Sequence, residues 1–177
     1  AVIGGLSVGT PGVPALMFEA HRKWGSLEWK KLFENAIRLS EDGFSVSKKL
    51  SDSIKRDEKR LNSFKHTKEY FLPNETALIH KEIKKNQAYA STLKLIANTG
   101  VEEFYRGKIA TDIIDTIKKS NLKKTLLNKK DLENYQIIER PAVCIKYRVY
   151  DVCGMGPPSS GGIAIAQILG ILELFDL

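Results

Sequence analysis

Apolar residues recur at three- and four-residue intervals through most of the first 120 positions, which predicts a succession of amphipathic helices. A glycine-rich opening (Gly4, Gly5, Gly9, Gly12) reads as loop or strand. Leu16, Met17, Ala20 and Trp24 then share one side of a first helix, with Pro14 suited to its first turn and Gly25 to its end. Ser26 suits the N-cap of a second helix, in which Trp29, Leu32, Phe33, Ala36, Ile37 and Ser40 recur until Gly43. A lysine-rich helix is predicted over about 47–61. Residues 62–85 are polar, hold Pro73 and lack a sustained period, so they read as a surface excursion. The stripe of Tyr89, Ala90, Leu93, Ile96 and Ala97 predicts a helix over 86–100. Val101–Gly107 reads as one short turn or helix, and Ile109, Ala110, Ile113, Ile114 and Ile117 mark another helix ending near Ser120.

Further on the period changes. Asn128 with Asp131 resembles a capping box before a short helix over 129–135. Alternation from Val143 to Val152 predicts two antiparallel strands reversing at Tyr147-Arg148-Val149-Tyr150. If the hairpin reverses symmetrically about Arg148 and Val149, Lys146 faces Asp151, a favourable pairing of opposite charges, and Cys144 faces Cys153. Facing residues lie within disulfide range, yet two small apolar side chains that never bridge remain an equal alternative. Pro157 and Pro158 end the second strand, and Ser159 or Ser160 can cap a last helix. That helix, Ile163–Leu174, is apolar on nearly every side and is predicted to be buried. The pattern as a whole predicts a mainly helical α+β fold in a single domain over 1–177.

Composition changes this picture little: 42% hydrophobic and 28% charged residues are ordinary globular values. The longest apolar run, Gly161–Leu172, contains Gln167 and falls short of the ~20 residues of a bilayer span, so no membrane span is expected. Beginning at Ala1 with no leader pattern, the chain reads as trimmed or as part of something longer. The net charge of +7 invites a nucleic-acid reading, but the excess sits in residues 46–94, with twelve basic and six acidic groups. Acidic residues are interspersed there at helix-neighbour spacings, as on a solvated face. Phe64, Tyr70 and Phe71 could stack on bases, although no RNP motif, zinc finger or KH loop accompanies them, and nucleic acid is not an expected partner.

Candidate chemistry is sparse. The three histidines, His21, His66 and His80, have no second ligand at metal-binding spacing, and two cysteines cannot build a four-cysteine zinc site, so neither metal nor cofactor is expected. The opening glycines do not follow the dinucleotide-loop spacing. In GMGPPSSGG (Gly154–Gly162) a serine on a turn before a helix suggests a nucleophile, but the elbow pattern is absent and no histidine lies C-terminal to it. A proline stop, a helix cap and glycines for close packing account for the run.

The order of these pieces resembles the large subunit of the γ-glutamyltranspeptidase family. The residues that carry the resemblance are SVGTPGVPAL (Ser7–Leu16), KWGSLEWKKLFENAIRLSEDGFSVS (Lys23–Ser47), STLKLIANTGVEEFYRGKIA (Ser91–Ala110), DLENYQIIERPAV (Asp131–Val143), YRVYDVCGMGPPSSGG (Tyr147–Gly162) and ILGILELFDL (Ile168–Leu177). Departures are Pro14 and Ala15 at a glycine-rich helix start, Val149 in place of a common glycine in the turn, and Gly156 where many members have proline. Val149 bears on a tight turn, since a β-branched residue resists positive φ.

The resemblance implies a four-layer αββα N-terminal-nucleophile hydrolase made as a self-cleaving precursor. The new N-terminal threonine of its small subunit attacks γ-glutamyl amides such as glutathione and passes the acyl group to water or an amino acid. It implies further that this chain is an internal scaffold portion of the large subunit, with no catalytic, substrate-binding or metal residue of its own. The nucleophile would lie beyond the segment matching Gly154–Leu177, and the arginine that holds the substrate carboxylate would precede the segment matching Ala1. Ser159 and Ser160 are not the family's paired substrate-binding serines, which belong to the small subunit. The partners implied are the rest of the large subunit and the small subunit, with self-association of the isolated segment through its last helix. A periplasmic or secreted location follows by family inference, and there the Cys144–Cys153 bridge is expected, with free thiols in a reducing compartment. The reading from another class is a basic helical module binding acidic partners through Ser47–Lys68.

Overall fold

The computed structural model describes residues 3–120 and 125–176; Leu177, which closes the last segment of the resemblance, lies outside them. The contacts form two compact units, Ala1–Tyr135 and Gln136–Leu177, where the sequence predicts one domain.

In the first unit α1 (Val13–Trp24) runs from Gly12 to Gly25, whose N–H donates to the His21 carbonyl at 2.6 Å. Ser26 does not cap the next helix. His21 Nε2 lies 2.7 Å from the Leu27 carbonyl oxygen, and the chain bends at Leu27 before a 3-10 turn (Trp29–Phe33) leads into α2 (Glu34–Asp42). Gly43, at φ 95, then turns the chain into β1 (Phe44–Ser45). This short strand pairs antiparallel with β2 (Ile83–Lys84).

The helix predicted over 47–61 forms as two pieces, α3 (Lys48–Arg56) and α4 (Glu58–Leu61), broken at Asp57 (φ −105, ψ 10). Ser47 caps α3, its Oγ accepting from the Leu50 N–H at 3.1 Å. Of residues 62–85, expected as a surface excursion, only Leu72 and Leu78 are buried. The segment forms α5 (Lys65–Phe71) and packs these two leucines against Val46 and Ile54. The apolar residues here are too few and irregular to show a period, and their burial depends on the complementary face of α3.

The stripe predicted over 86–100 is the buried side of α6 (Gln87–Thr99), with Ala90, Leu93, Ile96 and Ala97 inside. After α7 (Glu102–Tyr105) comes α8 (Lys108–Lys118), which buries Ala110, Ile114 and Ile117. The Asn128–Asp131 capping box starts α9 (Lys129–Glu133), whose Leu132 is fully buried in a second core with Tyr105, Ala110 and Ile114.

In the second unit β3 (Val143–Tyr147) and β4 (Tyr150–Gly154) form the expected antiparallel hairpin, with Cys144 opposite Cys153 and Lys146 opposite Asp151. Val149 does not prevent the two-residue turn, because Arg148 takes the left-handed conformation at φ 54. The helix α10 (Gly161–Leu172) packs on both strands, yet none of its residues is buried. The predicted buried helix is thus corrected to an uncovered one. Two five-residue strands contact only part of a helix that is apolar on nearly every side.

Candidate functional site

Among the described residues, two places are built most closely. The first is the start of α1. Its N-cap is Gly12, which has no side chain to satisfy the free N–H groups of the first turn. The Tyr105 hydroxyl supplies the missing partner, accepting from the Ala15 N–H at 3.2 Å and donating to the Pro11 carbonyl at 2.6 Å. Tyr135 stacks on Tyr105, with ring centroids 5.6 Å apart and planes 7° from parallel. A Cβ at Gly12 would lie 2.1 Å from the Tyr135 hydroxyl oxygen, so any side chain there would displace the end of the Tyr135 ring. Burial raises the Tyr105 pKa above the ordinary tyrosine value; the Ala15 N–H opposes this and Tyr135 adds to it. The sequence pattern does not single out Tyr105. Its only trace there is its position in the VEEFYRG segment.

The second place is the connection from β4 to α10. Gly154 and Gly162 touch: a Cβ on Gly154 would lie 2.8 Å from the Gly162 Cα, and one on Gly162 would lie 2.4 Å from the Met155 carbonyl oxygen. Gly154 and Gly162 of the GMGPPSSGG run therefore serve close packing, as the sequence suggests. Ser160 occupies the N-cap of α10 without a side-chain cap hydrogen bond, and Ser159 and Ser160 are exposed. Beside this connection lies an open depression of about 610 Å³, lined by Arg140, Val143, Cys153, Met155 and Pro157 among others. At the other end of the hairpin the Arg148 N–H donates to the Glu173 carboxylate at 3.1 and 3.2 Å, tying the turn to the end of α10. The Cys144 and Cys153 Sγ atoms are at bonding distance, 2.14 Å, with Cα atoms 4.1 Å apart.

The remaining candidates are not brought together. His66 and His80 are exposed, and His21 serves the Leu27 carbonyl. Among the described residues no group of three His, Cys, Asp or Glu side chains is placed to hold a metal ion. On the basic segment Lys48 pairs with Asp52 at 2.8 Å, Lys65 with Glu69 at 3.8 Å, Lys68 with Glu75 at 2.7 Å, and Arg60 with Asp57. These pairs offset much of the charge a polyanion would meet. No described helix is long and apolar enough to cross a membrane.

The fold is shared with solved γ-glutamyltranspeptidases, which places the chain among the N-terminal-nucleophile hydrolases. The crystal structure of Helicobacter pylori γ-glutamyltranspeptidase superposes with a TM-score of 0.92 at 31% identity, over 98% of this chain and 49% of that one. The gamma-glutamyltranspeptidase family model matches residues 1–177. The glutathione hydrolase proenzyme of Escherichia coli is 37% identical over 173 residues, and that of Bacillus subtilis 36% over 176. The chain belongs to the γ-glutamyltranspeptidase family. It spans 29% of the length of these two curated relatives.

Proposed function

We propose that this chain is a scaffold segment of the large subunit of a γ-glutamyltransferase/glutathione hydrolase. The observation that carries the reading is the family match along the whole of residues 1–177. In this reading the small subunit's N-terminal threonine attacks the γ-glutamyl carbonyl of glutathione or a related amide, its own α-amino group taking the hydroxyl proton. The acyl-enzyme then passes its γ-glutamyl group to water or to an amino acid. The 177-residue segment contributes rigidity. Tyr105 fixes the start of α1, and the Gly154–Gly162 contact fixes α10 against the hairpin. The partners are the rest of the large subunit and the small subunit, and exposed apolar side chains such as Leu16, Met17, Ile165 and Ile168 support packing against further protein. A periplasmic or secreted location fits the bridged cysteines.

A chromogenic γ-glutamyl anilide tests the assignment. The whole proenzyme that contains this segment is expected to release the anilide with saturation after self-cleavage. Residues 1–177 alone are expected to release none, because losing members of a catalytic unit costs several orders of magnitude. Release by the segment that survives repurification overturns the scaffold role, and an inert, fully processed proenzyme overturns the activity.

A further inference from the structure

We draw no further inference here: the strongest candidate, the apolar side of α1 carried by Val13, Leu16, Met17 and Trp24, is uncovered in a chain that spans 29% of the length of two curated relatives, and nothing in the structure shows what covers it.

Discussion

Tyr105 shows how much a single hydroxyl can fix. It closes two hydrogen bonds, to Ala15 and Pro11, that no residue next to α1 in sequence can make. Replacing it with phenylalanine leaves a helix-start N–H and a carbonyl without their partner, which costs about 1–2 kcal/mol and should lower the urea midpoint accordingly. The raised pKa makes this contribution depend on pH. The folded protein holds the Tyr105 proton more tightly than the unfolded chain, so the contribution is intact below the ordinary tyrosine pKa of ~10 and is lost as pH rises through the higher folded value. Wild type should therefore lose stability more steeply than Tyr105→Phe in alkaline titrations of the urea midpoint, and parallel curves would remove the link. At Gly162 the constraint is steric. A methyl group there meets the Met155 carbonyl, a backbone atom that cannot turn aside, so Gly162→Ala should destabilise Gln136–Leu177 by about 1–3 kcal/mol, read as faster amide exchange in α10. The glycines of the GMGPPSSGG run point to close packing from sequence alone. Tyr105 does not stand out, because its partners lie ninety and more positions away.

Among the elements, helices marked by an unbroken apolar stripe or by a capping box were legible and those with neither were not. The stripe of α6 and the cap of α9 come from local pattern, since the 3.6-residue period and the capping box act within a few residues. The second core depends on α9 despite its shortness. Leu132→Ala should cost about 2–5 kcal/mol through the cavity left beside Tyr105 and Ile114, measured by chemical denaturation. Lys146→Ala, by contrast, removes one partner of an exposed pair and should change stability by less than about 1 kcal/mol. The hairpin register was readable because period-two alternation and the facing charges agree on one alignment. Within residues 62–85 the burial of Leu72 and Leu78 was not readable, because it depends on α3 and Val46.

For the whole molecule, the apolar surface is the main unfinished feature. Ile165, Ile168 and Ile171 on α10 are 50%, 56% and 59% exposed, an uncovered strip of the kind that draws partners. Isolated residues 1–177 should self-associate in sedimentation experiments as concentration rises, and Ile168→Glu with Ile171→Glu should return them to monomer; a monomer at every concentration would count against this. The same helix separates what the sequence determined from what the tertiary structure decided. Sequence alone determined the helical stripes, the hairpin register and the apolar character of α10, because each is written in residue types and spacings a few positions apart, and the order of its motifs along the chain carried the resemblance to the family. Only the tertiary structure decided how α10 lies on the hairpin, that Leu72 and Leu78 join a core, and that Tyr105 holds the start of α1. Each of these depends on which distant surface comes to lie opposite, and no local period records that.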